Sequence, residues 1–103
     1  MSDRLNQLIR LHQAEPTDPF CTYGIALEHA KVKHHAEALA WLDKTLALDV
    51  HYCYAYFQKA KVYIERGEDA AAKSVLDTGM QAATQAGDDH ARSEMAELLA
   101  SLD

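Results

Sequence analysis

The sequence predicts an all-α protein, a short α-solenoid of about six helices arranged as antiparallel pairs. Three observations carry this expectation. The chain matches itself when shifted by 34 residues: Ala26 falls on Ala60, Ala36 on Ala70, Ala38 on Ala72, Leu42 on Leu76 and Asp43 on Asp77, and the aromatic pairs Phe20/Tyr54 and Tyr23/Phe57 coincide. A period near 34 residues is the length of a helix–turn–helix unit that stacks on copies of itself. Apolar residues recur at three- and four-residue spacing, and no alternating run marks a strand. Only 2 prolines and 4 glycines punctuate the 103 residues, and alanine, the best helix former, is abundant.

Taken in order, residues 3–14 read as the first helix, with Leu5, Leu8, Ile9 and His12 on its inner face and Pro16 as its stop. Asp18 followed by Pro19 marks the next start, a side-chain cap and then a proline where no amide bond is lost. This second helix is expected to reach about residue 33, with a turn near His34 or His35. The third covers 36–48 and carries Leu39, Leu42, Thr45 and Leu46; residues 49–51 turn the chain. The fourth covers 52–66 with Tyr56, Ala60, Tyr63 and Ile64, and Gly67 ends it. The fifth covers 69–85 with Ala72, Leu76, Gly79 and Met80, and Gly87 ends it. Asp88 or Asp89 caps the sixth, whose narrow apolar stripe is Ala91, Met95, Leu98, Leu99 and Leu102.

Composition narrows the partners. A formal net charge of -6 argues against nucleic acid, since phosphate contacts need clustered Lys and Arg. No apolar stretch of about 18 residues exists, so no membrane span is expected, and no apolar run of signal-peptide length opens the chain. Cys21 and Cys53 form no CxxC pair and read as reduced, buried small residues. The expected location is cytoplasmic.

At this point the residues resemble a tetratricopeptide repeat, whose pattern is W-x2-L-G-x2-Y, then A-x3-F, then P. The first unit supplies Thr22, Ile25, Ala26 and His29, then Ala38 and Leu42, then Val50. The second supplies Tyr56, Lys59, Ala60 and Tyr63, then Ala72 and Leu76, then Thr84. Both units lack the proline, and Thr22 and Lys59 are poor substitutes for the Trp and Leu of the pattern. The first helix resembles the second half of a preceding unit, with Leu8, Glu15 and Pro16 in register. The implied organisation is a single domain: a half-unit helix at 2–16, repeats at 19–52 and 53–86, and a capping helix at 88–102 that covers the end of the stack.

The resemblance implies a concave face built from the first helix of each pair. The residues expected to line it as a partner-binding groove are Phe20, Tyr23, Leu27 and Lys31 from the second helix, and Tyr54, Phe57, Gln58, Lys61 and Glu65 from the fourth. Members that grip a C-terminal carboxylate line this groove with Lys, Asn and Arg; here Lys61 is the cation among the corresponding places, and such a clamp is not expected. No enzyme activity and no cofactor are expected. There is no nucleophile elbow, the glycines are scattered, and Asp88 and Asp89 sit where a helix dipole favours them. The six histidines show no zinc-ligand spacing, so no metal is expected, and His29, in the place of the signature Tyr, reads as an interhelical packing residue with one hydrogen bond. The expected function is therefore a protein–protein interaction module that holds a peptide or partner segment in an aromatic-lined groove. The alternative is a structural unit that self-associates through exposed helix faces, since two repeats bury little core.

Overall fold

The computed structural model describes residues 2–103. Six α-helices follow one another: α1 (Asp3–Ala14), α2 (Pro19–Lys31), α3 (His35–Leu48), α4 (Cys53–Glu65), α5 (Asp69–Ala86) and α6 (Asp89–Ala100). No strand occurs among the described residues. Each helix packs mainly on its neighbours in sequence, α1 on α2, α2 on α3 and onward to α6, which makes a short solenoid. The Asp18 side chain accepts from the Phe20 amide with Pro19 in the first turn of α2, and the Asp88 side chain accepts from the Ala91 amide to open α6.

One helix end differs from expectation. Helix α2 stops at Lys31, and the chain turns through Val32 to His34 with Lys33 left-handed at φ 63°. The residue 34 places later is Gly67, with φ 75°. Both turns therefore use the same backbone, but only the second uses the residue that adopts it without strain. At the first, the Lys33 ammonium lies 2.8 Å from Glu65, which also meets His35 Nε2 at 3.3 Å.

Within each pair the helices approach closely at small residues. Ala26, Ala38, Ala60 and Ala72 are all fully buried, as are Leu42 and Leu76. The innermost contact of the two units is built from different chemistry. In the first, the Thr22 and Thr45 hydroxyl oxygens lie 2.8 Å apart, within reach of the Pro19 and Trp41 carbonyls. In the second, the places of Thr22 and Thr45 are taken by Tyr56 and Gly79. A Cβ on Gly79 would lie 2.6 Å from both Tyr56 Cβ and Met95 Sδ. A large ring thus faces no side chain in one unit, and two medium side chains face each other in the other. Thr22 is a fitting substitute because Thr45 answers its hydroxyl.

Lys59 also has its own partner, an ion pair to Asp43 at 2.8 Å between α3 and α4. The equivalent places 34 residues earlier hold Ile9 and Ile25, and there Ile9 packs against the cluster of Leu5, Leu8 and Ile25. His29 is half-buried, and its Nδ1 lies 3.4 Å from Nδ1 of His34 in the turn, so it braces the end of its own helix. Helix α6 closes the second half of the core: Ala91 and Met95 join Tyr56, Ala60, Ala72 and Leu76 in one cluster.

Glu28 is a buried charge. Its carboxylate receives Lys31 Nζ at 3.0 Å and the Ser2 hydroxyl at 3.2 Å, with Arg4 at 3.8 Å, and so ties the start of α1 to α2. The Lys31 hydrogen bond lowers its pKa; burial opposes, and Ser2 and Arg4 assist.

Three outcomes test this account. Gly79→Ala should destabilise the fold by about 1–3 kcal/mol in chemical denaturation, the usual cost of overpacking a full core. Lys33→Gly should raise stability by up to about 1 kcal/mol, because it removes left-handed strain and loses only an exposed ion pair. Glu28→Gln should lower stability at neutral pH. Because the folded pKa of Glu28 is depressed, its contribution is present above the ordinary glutamate value of about 4.3 and fades as pH falls through the folded value. The gap between wild-type and variant melting curves should therefore begin to narrow as pH falls below about 4 and close further into acid; a constant gap down to acid pH would exclude the role.

Candidate functional site

Among the described residues, α2 touches α4 and α4 touches α6, whereas α1, α3 and α5 make no comparable backbone approach to one another. Helices that approach across successive pairs lie on the inner side of a curved stack. The inner surface is therefore formed by α2, α4 and α6, and two seams run between them.

The seam between α2 and α4 holds Tyr23 and Tyr52, with ring centroids 4.9 Å apart. A shallow cavity of about 310 Å³ opens here, lined by Tyr23, Tyr52, Tyr54, Cys53, His51, Asp49 and Asp88. Burial raises the pKa of Tyr23, and a hydrogen bond with Gln58 partly offsets this. Burial likewise raises Tyr52, helped by Tyr23, Asp18 and Asp49. Burial raises the Cys53 thiol, as does the charge of Asp88, and its Sγ donates to the His51 carbonyl at 3.3 Å. At neutral pH these groups stay protonated, so the phenols act as neutral amphipathic walls.

The seam between α4 and α6 holds Phe57, edge-on to Tyr54 at 6.2 Å. The Tyr54 hydroxyl donates to Glu94 at 3.2 Å, and Glu94 also pairs with His90. Phe57 opens onto a broader hollow with His90, Glu94, Glu97, Leu98 and Ser101. The Lys61 ammonium sits 5.6 Å from the Phe57 ring centroid, within cation–π range.

The structure thus brings together Tyr23, Tyr54, Phe57, Gln58 and Lys61 along the inner side. Phe20 stands at the start of α2 with 56% of its surface exposed, and Leu27 is half-buried farther along that helix. Lys31 and Glu65 lie apart from the aromatic row. Lys31 pairs with Glu28 and lines a separate cavity with Ser2, Leu5 and Val32, while Glu65 is engaged by Lys33 and His35. Tyr52, Asp49, Asp88, His90 and Glu94 also line the seams and were not foreseen. Reading α6 only as an end cap hides its inner side, and Tyr52 is disguised by its place beside a turn.

No group of three or more His, Cys, Asp or Glu side chains among the described residues is placed to hold a metal, and no described helix is long and apolar enough to cross a membrane. Cys21 and Cys53 are both buried and unpaired.

No family model matches the sequence, and no curated protein matches it. Solved structures do. A tetratricopeptide repeat domain protein from Salinibacter ruber superposes with a TM-score of 0.80 at 26% identity, covering 86% of this chain and 90% of that one. The TPR2B domain of yeast Sti1, in a complex with pHsp70, gives 0.88 at 22% identity over 95% of this chain and 78% of that one. PcrH, in complex with the chaperone binding region of PopD, gives 0.86 at 13% identity over 95% and 74%. With six helices, the 34-residue internal match and these superpositions, the chain folds as a tetratricopeptide repeat domain.

Proposed function

We propose that this protein is a non-catalytic interaction module that holds a segment of a partner protein across the inner face of α2, α4 and α6. The observation that carries the reading is the row Tyr23, Tyr54 and Phe57. These half-buried aromatics come from both repeats and run across both seams, each with part of its ring open to solvent. Aromatic side chains of this kind are favoured binding anchors, large in area and low in conformational freedom. Phe20, Leu27, Gln58 and Lys61 extend the row, while Lys31 and Glu65, held by Glu28 and by Lys33 with His35, flank it from outside. In this reading residues 19–52 and 53–86 are the working units, 2–16 is a half unit and 88–102 is the cap. Two structural neighbours solved with a partner, Sti1 with pHsp70 and PcrH with the chaperone binding region of PopD, support the general class. Buried unpaired thiols fit a reducing, cytoplasmic setting.

The second reading is self-association. Leu11, Leu48 and Val50, exposed by 50%, 41% and 59%, lie on α1, α3 and the turn after α3. Sedimentation across a concentration series separates the two, since a monomer at all concentrations removes it.

The direct test is panning of a random peptide display library on wild type, followed by the variant Tyr23→Ala/Phe57→Ala. Selected peptides should shift amide signals of α2, α4 and α6, and the variant should weaken them by about tenfold or more, the scale of a hot spot. Its melting temperature should fall by only several degrees, since each ring is half-buried. Peptides that footprint on α1, α3 or α5, or a variant that no longer folds, would sink the groove.

A further inference from the structure

We infer that the partner segment is basic and that the cavity between α2 and α4 seats one of its cationic side chains, arginine or lysine. The inference rests on the inner-face reading above and names the chemistry of its occupant. Three tyrosines from the two repeats, Tyr23, Tyr52 and Tyr54, line the cavity together with Asp49 and Asp88. Each carboxylate already accepts one backbone amide, Asp49 from His51 at 2.9 Å and Asp88 from Ala91 at 3.0 Å, which fixes its direction and leaves its second oxygen. Neither is matched by a Lys, Arg or His among the ion pairs of the described residues. Asp49 is also the C-cap of α3, where the helix dipole adds negative potential.

Charge complementarity decides between occupants. An acidic segment would meet Asp49 and Asp88 here and Glu94 and Glu97 in the next seam, with Lys61 as the cation of the row. A wholly apolar segment would strip water from Asp49 and Asp88 and give them nothing in return, which is costly for a charge. An apolar stem with a cationic head satisfies both walls. The stem and charge lie on tyrosine faces, where cation–π attraction operates, and the head reaches the two carboxylates, as Arg does best with its fork of donors. A cavity of about 310 Å³, at the small end of ligand sites, suits one long side chain. The net charge of -6 would speed encounter with such a segment.

The test uses three synthetic peptides of equal length and identical apolar residues, whose remaining positions are all Arg, all Gln or all Glu. Each is titrated into the 15N-labelled full chain. The Arg peptide should shift the Tyr23, Tyr52 and Tyr54 signals, bind about tenfold or more above the Gln peptide, and weaken as salt rises. The variant Asp49→Asn/Asp88→Asn should abolish that advantage while melting near wild type, because Asn at 88 caps α6 as well as Asp and Asn at 49 can still accept from the His51 amide. Equal binding of the Gln or Glu peptide on the inner face would overturn the basic occupant and leave the groove standing. An Arg peptide that shifts other surfaces, or an advantage that survives the double Asn variant, would also overturn it. If no peptide shifts any signal of α2, α4 or α6, and display peptides also avoid that face, both readings fall.

Discussion

The close approach of the two helices within each repeat is the constraint on which the rest of this molecule depends. Backbones can approach only where side chains are small, and the buried residues Ala26, Ala38, Ala60 and Ala72 hold those places. The approach fixes the azimuth of every helix. Once α4 must turn Ala60 toward its partners, Tyr54 and Phe57 are carried round to the inner side, and the same rotation of α2 carries Tyr23 there. The candidate site is thus a by-product of core geometry. Its aromatics need no loop to position them, and they stand on rigid elements, which limits the entropy lost when a partner binds.

The two repeats meet this constraint with different residues, and the differences are paired. Thr22 with Thr45 becomes Tyr56 with Gly79, so the combined volume at the crossing is redistributed while the helices stay in register. The apolar contact of Ile9 and Ile25 becomes the ion pair of Asp43 and Lys59. The left-handed turn residue is Lys33 in one unit and Gly67 in the other. Changing one member of such a pair alone would leave a void, a clash or a lone charge, each a recognised route to large destabilisation. The solenoid is therefore conserved in shape between its halves through coupled pairs, which explains why its internal match is clear at alanine and leucine positions and faint elsewhere.

That also explains what the sequence discloses. The helices and most of their ends were legible, because Pro16, Asp18, Pro19, Gly67 and Gly87 act locally and the alanine positions recur at a fixed period. The turn after α2 was less legible because Lys33 occupies a backbone conformation that normally announces itself with glycine. Thr22 looked like a defect because its justification, the Thr45 hydroxyl, lies 23 residues away. In the candidate site the aromatics could be read from the repeat shift, but the carboxylates could not. Asp49, Asp88 and Glu94 come from a helix end, a cap and the last helix, and only the fold gathers them. Lys31 and Glu65 show a further limit, since the repeat shift does not reveal the opposite charges that engage them.

The last helix unites these strands of argument. Ala91 and Met95, four residues apart, close the core, and one step round the helix His90, Glu94, Glu97 and Leu98 face the inner surface beside Phe57. A helix that only sealed the stack would need one apolar stripe and any soluble residues elsewhere. Here the polar side is engaged, since Glu94 accepts from the Tyr54 hydroxyl and so ties the orientation of an inner-face ring to the docking of α6. Loosening α6 would therefore disturb the aromatic row as well as the core. Stability at this end of the solenoid and the shape of the surface it offers are set by the same contacts, and neither can be tuned without the other.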